Sequence, residues 1–534
     1  MVNAAGQNWT NFHENISLEG VAIGDCPAAA GTTGPAWMRE SADQLKALAA
    51  DAIAAHRPLG LLGAQWSLSP LIGQPGGMLR TGALAGVWQV DRADLATNSP
   101  LDPSCCIFVG GGATLAQLST AAEAAGKSLS TCGSYLQQSV AGAMATSVNG
   151  SRLDREGFKY GGFQNMVRGI HFVTSGNRSV WVEPASKPVL DPALARTFAD
   201  EVFRDDRLFD GSLVHLGGMG IVNAVVMELE PSRRFSVMRL RQKVSRGWLD
   251  ALQAGDFHAV AAMLGHDAPP AYYEVQINPF DIMGSAALHT LYFELADCAA
   301  VEGEQPSALH TYDGIASAGR YDQQEGIIEG ELALPNPFTD LFSFYSAFFF
   351  KPTRNNAPQG SQTWGQIHAK PPAAIQRGLV YTSAFSVART DLAQTIERAC
   401  AAMIEQARQG ALKQMLLTLR FVSAASGAMA FTRFGDSVVV DMEGLEKLPV
   451  IGHLPHARTH GRATIAALEQ EPYVPHCPHW GKLQPPSAAK IEREFGPTGD
   501  LNSRVSLWRS ARNALVPAIA QASMTNQALI DWKL

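Results

Sequence analysis

The 534-residue chain predicts an α+β architecture with more than one core, on three observations. Residues 36–232 alternate short apolar runs with amphipathic stretches, the pattern of interleaved strands and helices. Composition changes after Pro231, and from Phe235 to about Gly444 the runs lengthen and alternate, as in an antiparallel sheet backed by helices. The length is also too great for one ordinary core.

In chain order, Ser41-Ala-Asp-Gln44 reads as a capping box, followed by an apolar face of Leu45, Leu48, Ala49 and Ala52. Val87–Val90 and Cys106–Val109 read as strands. Thr114-Leu-Ala-Gln117 is a second capping box, with a stripe of Leu115, Leu118 and Ala122 ended by Gly126. Ile170–Val173 and Ser179–Val182 predict a hairpin around Ser-Gly-Asn, and Val214–Val226 an apolar strand opened by Gly217-Gly-Met-Gly220. The later strands are placed at Ser236–Val244, Tyr272–Pro279, His289–Leu295, Gly378–Val387, Met415–Val422 and Ser437–Met442, with a helix at Leu392–Gln406. Residues 300–335, rich in Gly and acidic groups, read as a surface loop or lid. The tail from Ile465 holds a helix and then Pro475-His-Cys-Pro-His-Trp-Gly-Lys482.

Composition excludes several classes. Charged residues are 17%, hydrophobic residues 46% and net charge is −7, a globular balance with no basic stripe for nucleic acid. No apolar run approaches the ~20 residues that span a bilayer. The seven cysteines are odd in number and lack zinc-type spacing, which reads as mostly free thiols in a reducing cytoplasm. His453, His456, His460, His476, Cys477 and His479 invite a metal reading, but nothing in the sequence makes them converge, and no metal is expected.

Two loops carry the chemistry. Ser139-Val-Ala-Gly-Ala-Met-Ala-Thr-Ser-Val-Asn-Gly-Ser151 is built of small residues with hydroxyls and one amide, so backbone can approach a bulky anion closely. Gly63-Ala-Gln-Trp-Ser-Leu-Ser-Pro70 lies upstream and has the same character. Together they predict a dinucleotide in an extended pose, its pyrophosphate between them. An NAD-type site is disfavoured, because no Gly-x-Gly-x-x-Gly follows a strand.

These segments resemble the FAD-linked oxidases of vanillyl-alcohol-oxidase type, nearest to alditol and sugar-1,4-lactone oxidases. The family motifs are a loop ending Gly-x-x-His-Ser, a Ser-Val-Ala-Gly-Ala-x-Ala-Thr-Gly-Thr-His-Gly-Ser block, a Gly-x-x-Gly-(Ile/Val)-(Ile/Val) strand and a Pro-His-Trp-Gly-Lys. The matches here are Gly63–Ser67, Ser139–Ser151, Gly217–Val222 and Pro478–Lys482. The resemblance implies a two-subdomain PCMH-type FAD-binding domain over 1–232, a substrate or cap domain over 233–464 and a segment, 465–534, that returns to the active site. It places FAD on Leu62, Gly63, Ala64, Gln65, Trp66, Ser67, Ser134, Ser139, Gly142, Thr146, Ser147, Val148, Asn149 and the backbone of Ile221. Gly142 would remove bulk beside the pyrophosphate; Thr146, Ser147 and Asn149 would offer donors. The alternative for such runs is tight helix–strand packing.

Departures from the motif carry further expectations. Trp66 replaces the histidine that bonds covalently to the flavin in many relatives, and indole cannot form that bond, so non-covalent FAD is expected, with Trp66 packing on the ring edge. Cys132 lies near the cysteinyl link of bicovalent relatives, or is a buried thiol. Gly133, small where relatives face the reactive flavin carbon, implies oxidase behaviour with dioxygen as acceptor, or is an ordinary turn glycine.

For catalysis the resemblance implies Lys482 as the cation that stabilises reduced flavin, and Arg420 as the group that holds the substrate oxygen. Ser134 would contact substrate or flavin. The Glu of the family's Glu-x-Arg is Thr418 here, which undercuts a simple alditol or sugar-lactone assignment. Asp441 and Glu443 alternate on a strand and share one side, as base, hydroxyl binder or solvated edge. The aromatic set Tyr272, Tyr273, Phe280, Phe338, Phe342, Phe344, Tyr345 and Phe348–Phe350 is core, or lines a cavity for a bulky or aromatic alcohol. The resulting expectation is an FAD-dependent oxidase acting on CH–OH groups and releasing hydrogen peroxide. The alternatives are a flavin dehydrogenase, a C–C bond-forming oxidase, or a degenerate flavin-binding protein. No nucleic acid or membrane partner is expected.

Overall fold

The computed structural model describes residues 6–155, 158–296, 341–348, 350–368, 380–448 and 452–534. Cys298, the 300–335 region, Phe338 and Phe349 lie outside the described residues, as do the side chains of Phe344 and Phe348.

The N-terminal region is built on two sheets. Ile23–Asp25, Met78–Arg80 and Gly60–Leu62 form a three-stranded parallel sheet. The second sheet has six strands in the order Glu201–Arg204, Arg178–Glu183, Val167–Ser175, Ile221–Glu228, Cys106–Gly110 and Val87–Gln89. Its predicted hairpin is present, with Val180 opposite Phe172. Helix Leu115–Ala124 begins with the predicted box, Gln117 N donating to Thr114 Oγ1 at 3.2 Å and Thr114 N to Gln117 Oε1 at 2.8 Å. The first box is corrected. The helix runs from Gly34 to Ala54, because Pro35, six residues before Ser41, presets the first turn, and Ser41 lies inside it. The buried Ser41 Oγ instead accepts from Ala29 N at 2.9 Å.

The predicted alternating segments form one antiparallel sheet of eight described strands: Gln359–Thr363, Arg234–Lys243, Ala286–Glu294, Tyr272–Ile277, Met415–Ser423, Asp436–Leu445, Val380–Ala388 and Cys477–Pro478. Period-two alternation divides it. Leu417, Leu419, Phe421, Val440 and Met442 pack with Leu252, Val260, Ile396, Ala399 and Met403 from the helices behind. Thr418, Arg420, Asp441 and Glu443 are on the opposite face. The tail continues past this sheet, and helix Arg504–Leu515 packs on helix Asp206–Leu213, with Trp508 Nε1 donating to Val214 O at 3.0 Å. Among the described residues no helix is long and apolar enough to cross a membrane. The six described cysteines form no disulfide with one another.

Candidate functional site

A cavity of about 420 Å³ opens between the small-residue loops and the polar face of the large sheet. Its volume is in the range of ligand-sized clefts, about 300–1,000 Å³.

One wall comes from the loop that leaves strand Gly60–Leu62. Gly63, Ala64, Gln65, Trp66 and Ser67 all line the cavity. Gln65 adopts φ +64° and is held by Trp9, whose Nε1 donates to its Oε1 at 2.9 Å; Asn11 Nδ2 donates to Ser67 O at 2.9 Å. Residues 7–16 thus brace this loop, a role that had no signature in the sequence. Trp66 stacks on Phe12 at 4.4 Å and lies 5.1 Å from Tyr135.

The facing wall is the Ser139 block, whose Val140–Ala145 segment is a short helix. Ser139, Gly142, Thr146, Val148 and Asn149 line the cavity, as do Ser134 and Ile221. A Cβ on Gly63 would sit 2.3 Å from Ser139 Oγ and one on Gly142 2.9 Å from it. The two glycines therefore let the walls close on a single hydroxyl, which accepts from Gly142 N at 3.3 Å and donates to no partner among the described residues. Gln138 Oε1 and His13 Nδ1 are buried at the wall with no hydrogen-bond partner among the described residues. Paired loops, a cradle that a Cβ would fill and orphaned polar atoms all fit an extended dinucleotide cofactor.

Three predicted contacts are corrected. Leu62 is a core residue packed with Trp9, Ile23 and Met78, and its carbonyl accepts from Thr81 N at 2.9 Å. Ser147 takes φ +58°, which turns its side chain away from the cavity, and its Oγ accepts from Gln164 Nε2 at 2.8 Å. Thr146 lines the cavity but donates its hydrogen to Gly142 O at 3.1 Å, so it offers lone pairs there rather than a donor. Gly133 is on the cavity wall, yet its missing Cβ would meet Val148 Cγ1 at 3.0 Å. Its smallness serves that close approach. Cys132 is buried, and its Sγ accepts from Trp364 Nε1 at 3.1 Å.

The sheet supplies the charged wall. Arg420 Nε donates to Glu274 Oε2 at 2.7 Å, Nη1 pairs with Asp441 Oδ2 and Nη2 donates to Ser134 Oγ at 3.2 Å. Glu443 Oε1 lies 4.0 Å from the guanidinium, and Thr418 Oγ1 donates to Glu443 Oε2 at 3.1 Å. Burial, opposed by Arg420, pushes the Glu443 carboxyl above the usual carboxylate range. Lys482 Nζ donates to Thr382 Oγ1 at 2.9 Å. Burial lowers the Lys482 proton affinity, and Asp441 and Glu443 partly restore it.

The tail brings Lys482 here through two attachments. Pro478 pairs with Phe385 at the sheet edge, and Leu68 N donates to Gly481 O at 2.9 Å. His479 Nδ1 accepts from Gly481 N at 3.0 Å; burial, reinforced by Lys482, lowers its pKa to about 3 and keeps the ring neutral. His13 is lowered to about 4 by the same two causes in the same order. Lys482, Arg420 and Ser134 thus meet in one cavity. Glu274, Thr382, Tyr135, His13 and His215 line or brace it without having been singled out, since only strand pairing and chain return bring them in. Among the described residues no cluster of three His, Cys, Asp or Glu is placed to hold a metal.

Residues 38–183 match the FAD binding domain family. This chain carries an FAD-binding domain. A 160-residue segment is 28% identical to alditol oxidase from Streptomyces sp. (strain IKD472 / FERM P-14339), covering 30% of this chain and 30% of that one. The chain therefore spans under a third of the curated relative in this match. Cholesterol oxidase from Brevibacterium sterolicum superposes with a TM-score of 0.67 at 14% identity, over 99% of this chain and 96% of that one. A solvent-stable cholesterol oxidase superposes with a TM-score of 0.64 at 14% identity, over 99% and 98%. The FAD-binding domain, the Streptomyces relative and the shared fold support the predicted resemblance to PCMH-type FAD-binding oxidases. For this domain, Gly63→Ala is expected to give a folded protein with FAD occupancy reduced at least about tenfold, since a displacement of even an ångström is felt in a close-packed wall. Flavin absorbance per polypeptide after gel filtration measures it.

Proposed function

We propose that the chain is an FAD-dependent oxidoreductase that oxidises an alcohol to a carbonyl compound, with dioxygen as the final acceptor and hydrogen peroxide as the by-product. The observation that carries this reading is the convergence of Lys482, Arg420, Ser134 and Glu443 on the cavity walled by the two small-residue loops. Gly63–Ser67, Ser139, Gly142, Val148, Asn149 and Ile221 would hold the cofactor. Bound FAD would supply the two-electron acceptor for the substrate hydride.

The chain's own residues do the rest. Arg420 and Ser134 orient the substrate oxygen and stabilise negative charge on it. Asp441 is committed to Arg420 and fixes the guanidinium. Glu443 has only a 4.0 Å approach to that guanidinium and a raised proton affinity, which suits it to take the hydroxyl proton. Lys482, as an ammonium, offsets negative charge that develops on the acceptor. The cap aromatics divide: Tyr345 lines the cavity, whereas Tyr273, Phe280 and Phe342 are core, so an apolar or aromatic substrate body is favoured over a free alditol.

An anaerobic screen of primary and secondary alcohols tests the reading, with bleaching of the flavin band as the expected result. A yellow protein bleached by none of them, or a folded protein that takes up no FAD, overturns it. Peroxide formed on admitting air identifies the acceptor; bleaching without peroxide favours the dehydrogenase reading, which the packing role of Gly133 leaves standing. We also propose non-covalent attachment. After denaturation and ultrafiltration the flavin is expected in the filtrate, and flavin retained with the polypeptide contradicts this.

A further inference from the structure

A smaller cavity of about 60 Å³ adjoins the main one, with Ser134 and Tyr345 lining both. Strand register explains its chemistry. Arg239 pairs with Thr290, Thr290 with Glu274 and Glu274 with Arg420, so these four residues form one row across the sheet. Arg239, Thr290 and Glu274 all line the small cavity.

The two arginines of the row differ. Arg420 is paired with Glu274 and Asp441. Arg239 is 8% exposed, and its guanidinium, which lies 4.4 Å from the Phe350 ring centroid, has no ion pair or hydrogen bond among the described residues. Glu274 makes no ion pair or hydrogen bond with it among the described residues; its Oε2 instead accepts from Arg420 Nε at 2.7 Å and Tyr272 Oη at 2.9 Å. Cation–π contact offsets only part of the cost of burying a guanidinium. A planar fork facing a cavity this small is matched by a carboxylate, which accepts two parallel N–H bonds.

We propose that Arg239 forms an anion subsite that takes a carboxylate carried by the alcohol substrate. The substrate class is then a hydroxy acid, with its hydroxyl at Ser134 and Arg420, its apolar body along Tyr345 and its carboxylate on Arg239. This deepens the proposed function and rests on it for the word substrate; the anion site itself does not.

The test is calorimetric binding to the purified chain with its FAD content recorded. The probes are 4-(hydroxymethyl)benzoate against 4-(hydroxymethyl)benzamide, and 6-hydroxyhexanoate against its amide. The acid of at least one pair is expected to bind at least about tenfold tighter than its amide, the scale of one charge-assisted hydrogen bond. Arg239→Met is expected to erase that preference while amide binding persists, which shows the variant is folded; Arg239→Lys is expected to retain part of it. No carboxylate preference in either pair, or an unchanged preference in Arg239→Met, overturns the subsite. A preparation that prefers the acid but carries no flavin and takes none up would overturn the proposed oxidoreductase and leave the anion site standing.

Discussion

Replacing Lys482 by Met is expected to slow flavin reduction by about 100- to 1,000-fold, the range for loss of one preorganised charge-stabilising group, while FAD occupancy changes by less than about twofold. Nζ is tethered to Thr382 on the sheet, and the small-residue loops proposed to hold the cofactor make no bond to it. Equal loss of reduction rate and FAD content would make the residue structural. The pH profile adds a second readout. Burial disfavours the ammonium, so the protonated form is lost at lower pH than for a free lysine. The reduction rate should therefore fall as pH rises through that depressed value. Lys482→Arg keeps its charge throughout this range, and its profile should lack the alkaline decline.

Arg420→Leu is expected to do more damage, because it strands carboxylates as well as removing the proposed substrate contact. Asp441 is 2% exposed and Glu274 is largely buried, and both carboxylates bond the guanidinium. Removing one partner of a buried pair costs about 3–5 kcal/mol. The variant should show lowered thermal stability and no detectable alcohol-dependent reduction. Arg420→Lys, with a point charge in place of the fork, should recover stability better than turnover. A leucine variant with unaltered melting temperature would show that the carboxylates find other partners.

Much of the architecture was legible because it is locally encoded. The Thr114 box, the Ile170–Val182 hairpin and the strands of the large sheet follow from capping chemistry and period-two alternation, which need no knowledge of the rest of the chain. The Ser41 box failed because a stronger local signal, Pro35 after Gly34, had already begun the helix. The small-residue loops were legible as segments, but side-chain direction within them was not: one positive φ turns Ser147 away from the cavity, and Leu62 belongs to the core at the end of its strand. Glu274, Thr382 and Arg239 were invisible to the sequence reading, since each matters through its neighbour across a strand pair, and register over 140 residues has no local signature. Asp441 and Glu443 could be placed on one side of a strand, while their division into a fixed counter-ion and a freer acid–base group depends on where a single guanidinium reaches.

The bond between Ser67 Oγ and Gly481 O spans 414 positions, and the neighbouring Leu68–Gly481 bond closes the same gap. Closing a loop of this length costs chain entropy that other contacts must offset. The core beneath the Ser139 loop is likewise shared, since Val140, Ala143 and Met144 pack in one cluster with Trp480, Trp508 and Leu529, so the cavity wall is finished by the end of the chain. A chain truncated before its final helices is therefore expected to lose the cavity as a whole rather than one residue of it.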